Sequence, residues 1–211
     1  MYKRLFLACA LLIGAITSLW ADSPLTSTHF WRIYKVTEAG SHYFEPYKTV
    51  DKAGWGETVM SMLITRDLTL EQRLCIVNYL GWDFNGQTHY RDLLKYYCRQ
   101  NNKRTGDDIF RDMPADMITV FAYVRAMDNY FDVSEALKLA RMAQEKAPQS
   151  KAVAMMTALI GAQAAMDSNW GEVYRLCHAV EVNRNLKNDF CDAAVAAIME
   201  YINSYAEYDN P

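Results

Sequence analysis

The chain has 211 residues, 51% of them hydrophobic and 22% charged, enough to bury a core as one domain or two small ones. With 22 basic against 25 acidic residues it has no positive excess to hold a phosphate backbone, which argues against nucleic acid as a partner. Nine glycines and five prolines are too few for a low-complexity or collagen-like chain.

The one long apolar run opens the chain and has the layout of a secretory signal. Lys3 and Arg4 are followed by the uncharged stretch Leu5 to Ile16, and Ala21 stands ahead of Asp22-Ser23-Pro24. This predicts residues 1–21 as a signal peptide cut after Ala21. The competing reading is a retained signal anchor in the inner membrane, because no charge occurs from Leu5 to Ala21. Only four apolar residues separate Cys9 from Arg4, too few for a lipoprotein signal. Removing Lys3 and Arg4 leaves 20 basic against 25 acidic residues, a formal charge of −5. That keeps the protein soluble and gives it no attraction to anionic lipid. The expected location is the periplasm or the medium of a bacterium, with no membrane insertion after cleavage.

Residues 22–56 are rich in aromatics and fit helix or strand equally, as in Phe30-Trp31-Arg32-Ile33-Tyr34. Trp31 with Tyr34, and Tyr43 with Phe44 and Tyr47, are expected to form an exposed patch there. Residues 57–105 read as a helical hairpin region. Glu57 to Ile64 is helical, and Thr69-Leu70-Glu71-Gln72 is a capping box opening a helix with Leu70, Leu74 and Val77 on one face. Thr88 starts the next, with Tyr90, Leu93, Leu94 and Tyr97 inward, and Asn101 to Gly106 is a joint. From residue 106 to 211 four helices carry apolar faces: Met117, Val120, Phe121 and Val124; Ala136, Ala140, Ala143 and Ala147; Val153, Met156, Ile160 and Ala164; Val173, Leu176, Cys177 and Val180. A last helix with Phe190, Ala194, Ala197, Ile198 and Tyr201 caps the array. The expected fold is all-α, about seven helices in stacked antiparallel hairpins; the alanine-rich faces allow close packing.

Four cysteines remain after Cys9, an even number in an export context. Residues equidistant from a hairpin turn face each other, and the midpoint of 75 and 98 falls beside Gly86 while that of 177 and 191 is Arg184, both in turn-like stretches. This predicts disulfides Cys75–Cys98 and Cys177–Cys191, each contributing about 3 kcal/mol. Four buried thiols are the alternative. No ligand spacing of a structural zinc site occurs, so no metal or cofactor is implied.

Asp132-Val133-Ser134-Glu135-Ala136 and Asn169-Trp170-Gly171-Glu172-Val173 share one design, an N-cap residue with an acid three later, and lie 37 apart. Ala136, Ala143 and Pro148 stand at the small positions and closing proline of a second repeat helix, and Gly161 at the small position of the next first helix. On these residues, roughly 116–185 resembles a degenerate tetratricopeptide or Sel1-type repeat. Val173, Cys177, Val180 and Asn185 depart from the pattern. The resemblance implies a concave face lined by first helices that holds an extended peptide or a partner's helix. By position that face carries Phe121, Arg125, Asp128 and Asn129, then Met155 and Met166, with Arg125 pairing to a carboxylate and the methionines adapting to apolar side chains.

No His-Glu-x-x-His pair, Gly-x-Ser-x-Gly elbow, phosphate loop or Cys-x-x-Cys motif occurs. The expectation is therefore a non-enzymatic module of the cell envelope that binds another envelope protein or a peptide. The alternative is an envelope hydrolase or carbohydrate-binding protein using the N-terminal aromatics, with Glu38, Glu45 and Glu57 as the nearby acids.

Overall fold

The structure, a computed structural model, describes residues 23–36, 50, 54–81, 87–105 and 108–209. The signal segment, its cleavage point, Tyr43, Phe44, Tyr47, Glu38 and Glu45 lie outside the described residues. The described chain is all-α, without strands. A 3-10 turn, Phe30–Arg32, runs into a one-turn helix, Ile33–Val36. Eight longer helices follow: α1 Glu57–Ile64, α2 Leu70–Leu80, α3 His89–Gln100, α4 Ala115–Asp128, α5 Ser134–Lys146, α6 Lys151–Ala165, α7 Trp170–Glu181 and α8 Asp192–Ile202. A 3-10 segment, Asn203–Tyr208, comes after them. No helix among the described residues is long and apolar enough to cross a membrane.

Local chemistry explains the helix starts. The Thr69 hydroxyl accepts from Gln72 N at 3.2 Å and the Gln72 side chain accepts from Thr69 N at 2.9 Å, so the capping box at α2 is closed. Ser150 caps α6 through Val153 N, and Asn169 caps α7 through Glu172 N, both at 3.1 Å. Asp132 sits one residue further out at α5, accepting from Ser134 N.

Two helices form the interior. Eleven of the 14 residues of α4 and twelve of the 15 of α6 are buried, so neither has a solvent face. Helix α5 packs on both, α7 packs on α6, and α2 and α3 each pack on α4. Helix α8 packs on α7 and on the N-terminal 3-10 turn. The packing is compatible with a helical solenoid or a bundle. Small residues make the approaches possible: Ala136, Ala140 and Ala143 of α5 are fully covered. A Cβ on Gly161 of α6 would stand 3.1 Å from Leu176 and 3.9 Å from Leu137, so α6 is held between side chains of α5 and α7.

The loop before α6 is joined to the loop before α8. Lys187 N donates to Gln149 O at 2.7 Å, Ala152 N to Asp189 Oδ1 at 3.1 Å, and Lys151 Nζ to Asn188 Oδ1 at 3.2 Å. The last two pairs lie 37 positions apart, as do Ser150 and Lys187, which form an isolated bridge. The loops entering successive hairpins therefore stack directly on one another.

Residues 23–34 form part of the core. Phe30, fully covered, stacks on Tyr123 of α4 with ring centroids 6.5 Å apart and meets Phe190 edge-on at 5.6 Å. Asn78 of α2 holds the segment in place: its Oδ1 accepts from Trp31 N at 3.1 Å, and its Nδ2 donates to Thr28 O at 3.0 Å and to Tyr123 Oη at 2.8 Å. Trp31 and Tyr34 are half-buried against the core, with Trp31 edge-on to Tyr79 at 4.9 Å. Those two members of the expected exposed patch are thus packing residues.

Helix α7 makes its closest approach at Gly171, where a Cβ would lie 2.5 Å from the Tyr208 carbonyl oxygen. An alanine in a helix ordinarily adds stability over glycine. Here the clash is with backbone, and Gly171→Ala is expected to destabilise by about 1–3 kcal/mol, read as a lower denaturation midpoint.

Candidate functional site

The carboxylate of Asp128 ends α4, where the helix dipole disfavours a negative charge. It is nevertheless buried, because the first turn of α3 comes to it. His89 Nδ1 lies 2.6 Å from Asp128 Oδ1, and Tyr90 N donates to Asp128 Oδ2 at 2.7 Å. Thr88 makes no side-chain cap on α3, its hydroxyl going instead to Asp92, so a carboxylate from another helix caps that end. His89 stands edge-on to Trp55 with ring centroids 4.6 Å apart.

Beside this junction a cleft of about 250 Å³ opens, lined by Tyr90, Arg125, Asp128, Asn129, Asp132 and Glu135 among others. The Arg125 guanidinium lies over the Tyr90 ring, 4.7 Å from its centroid, and that ring meets Phe121 edge-on at 6.0 Å. Burial pushes the Tyr90 hydroxyl above its ordinary range, which keeps it neutral under the cation. Hydrogen bonds from Ser134 hold the Asp132 carboxyl low and Lys138 does the same for Glu135, so both rim acids stay ionised.

Asp132 also walls a second cleft of about 460 Å³, with Tyr130, Phe131, Leu137, Gln163 and Met166. Phe131 is 65% exposed, the most exposed large apolar side chain among the described residues. Its ring lies 4.3 Å from that of Tyr130. A polar cleft with a cation and an apolar cleft with an open aromatic ring therefore share one wall.

Of the residues expected to line a concave face, Arg125, Asp128 and Asn129 come together in the first cleft and Met166 lines the second. Phe121 and Met155 have no exposed surface. Phe121 is covered by Tyr90 and Tyr97 of α3 and by Phe110, so the preceding helix occupies the face assigned to a ligand. Met155 belongs to the fully enclosed part of α6. Tyr90 and Phe131 were missed; the adjacent aromatics Tyr130-Phe131, just ahead of a helix cap, were a readable sign of an exposed ring.

Neither expected disulfide is present: Cys75, Cys98, Cys177 and Cys191 are free thiols. The Cys75–Cys98 pairing assumed that α2 and α3 face each other, whereas both make their principal contacts with α4. Cys177 is buried within α7, while Cys191 precedes α8 and turns to Glu71 of α2, its N–H donating to Glu71 Oε1 at 3.1 Å. The same carboxylate accepts from Tyr34 Oη, and Cys75 lies one turn further along α2. Burial, then Glu71 and Cys191, push the Cys75 thiol up, and burial pushes Cys177 up to about 12.

No family model, no curated protein and no solved structure matches this chain.

Two outcomes follow from this geometry. Asp128→Ala removes the acceptor of a buried imidazole and a helix-start N–H, and is expected to cost about 2 kcal/mol by denaturant titration. Because thiolate is the reactive form, native protein at pH 8 is expected to alkylate at Cys191 well before Cys75 or Cys177. Cys75, Cys98, Cys177 and Cys191 should all react once the chain is denatured without reductant, read by mass.

Proposed function

We propose that this chain is an exported, non-enzymatic module of the bacterial cell envelope that binds an extended peptide or a segment of another envelope protein. In this reading residues 1–21 are the signal cut after Ala21, and the hairpins from α4 to α7 form a degenerate tetratricopeptide-like array. The stacking of loops 37 residues apart supports the second point.

The observation that carries the proposal is the open Phe131 ring at the seam of the two clefts. A large exposed ring with Met166 and Leu137 beside it suits an apolar side chain, and the neighbouring Arg125 suits a carboxylate, so the occupant is a peptide pairing an acidic residue with an apolar one. Flexible Met166 tolerates variation in the apolar partner. Of the residues the sugar-binding alternative would use, Trp31 packs against the core and Glu57 pairs with Arg99 at 2.8 Å, while Tyr43, Phe44, Tyr47, Glu38 and Glu45 lie outside the described residues.

The test is in-cell crosslinking from a photoreactive residue at Asn129, with mass spectrometry of the product. One envelope protein captured reproducibly is expected. Its yield should fall about tenfold or more in Phe131→Ala and in Arg125→Glu, with the melting temperature of Phe131→Ala shifted by less than about 2 °C. Folded protein that captures nothing, or capture indifferent to both substitutions, would overturn the reading.

A further inference from the structure

At the other end of α4, about 20 Å from these clefts along the helix, a separate cavity of about 710 Å³ opens between the starts of α2 and α4 and the loop before α8. Its wall includes Arg66, Thr69, Arg73, Asp116, Asn188 and Asp189. Arg73 is only 2% exposed. Its Nη2 donates to Asp116 Oδ2 at 2.5 Å, but Nε and Nη1 are buried and meet no hydrogen-bond acceptor among the described residues. A guanidinium is permanently charged and carries five N–H groups in a fixed plane, so donors enclosed in this way call for an acceptor from outside the chain.

Two further features point the same way. Arg66, exposed on the same wall, makes no ion pair among the described residues. The first turn of α2 also lines the cavity, and the positive end of that helix favours an anion there.

The carboxylates on the wall are already engaged. Asp116 holds Arg73, Glu71 accepts from Tyr34 Oη and Cys191 N, and Asp189 Oδ1 accepts from Ala152 N. They limit the charge of the ligand: two guanidinium groups stand among three carboxylates, so a dianion is opposed more strongly than a single negative charge, which is held locally by the unused Arg73 nitrogens and Arg66. Asn188 Oδ1 already accepts from Lys151 Nζ, and the second Asp189 oxygen, Oδ2, remains for a donor on the same molecule.

We propose that this cavity binds a monocarboxylate ligand that also carries hydrogen-bond donors, with its carboxylate on Arg73 and Arg66. An α-amino acid and the free C-terminus of a peptide share this chemistry.

Calorimetric titration of the folded protein at low ionic strength distinguishes the sources. The probes are N-acetyl-trialanine with a free C-terminus, the same peptide as its C-terminal amide, free alanine, and inorganic phosphate. The free-acid peptide or alanine is expected to bind, the tighter of the two identifying the source, with the amide at least about tenfold weaker than the acid. Arg66→Ala, on an exposed side chain, should weaken binding about tenfold at unchanged melting temperature. Arg73→Met should abolish it, and because Asp116 is 41% exposed and can hydrate, the variant should still fold. Phosphate binding more tightly than either carboxylate, equal binding of acid and amide, or no binding at about 10 mM would each overturn the proposal. The crosslinking at Asn129 reads the opposite end of α4, so either reading can fail without the other.

Discussion

A helix buried on every side cannot leave its polar groups to water, and α4 obliges the rest of the chain to supply their partners. Thr119 satisfies itself on Ala115 O. Tyr123 takes a hydrogen bond from Asn78, which brings α2 alongside, and Asp128 takes His89 and the Tyr90 N–H, which brings the start of α3 to the end of α4. These are specific demands within a non-specific apolar contact. Hydrophobic burial gathers the helices, and the few buried polar groups fix which end of which helix goes where.

The clefts are by-products of that arrangement. Where α3 meets α4 through Asp128, the chain must turn at 129–133 to start α5, and the turn leaves Asn129, Phe131 and Asp132 outside the packed layer. At the opposite end, α2 and α4 both begin near Arg73 and Asp116, and their starts do not fill the space before α8. The middle of α4 is committed to the core, and the clefts open beside its two ends.

What could be read from sequence was whatever is decided within a turn or two of chain. The Thr69–Gln72 box closes as expected, and the alanine face of α5 is buried as the periodicity required. The Asn169 cap belongs to the same class. Misplacements arose where the deciding contact is remote. Phe121 and Met155 lie on helices that are apolar all round, and such helices have no periodicity to say which face meets solvent. The Cys75–Cys98 pairing relied on chain neighbours packing together, but α2 and α3 each pack chiefly on α4 rather than on each other. Arg73 gave no sign of burial, since an arginine beside Leu74 reads as a solvated side chain; its salt bridge comes from 43 positions away. The aromatic N-terminal segment has no regular pattern because Asn78 and Tyr123, not its own spacing, shape it.

The docking of that segment governs the order in which the molecule can assemble. Leu25 N donates to Gln163, 138 positions on, and Phe30 closes against Phe190. The hairpins from α4 to α7 can form from near neighbours as they appear, whereas residues 23–34 have no finished surface to join until the start of α8 is available. Closing so long a loop is slow and comes late. The part of the described chain synthesised first is therefore the part whose native place is completed last, since Phe30 keeps one side uncovered until Phe190 arrives.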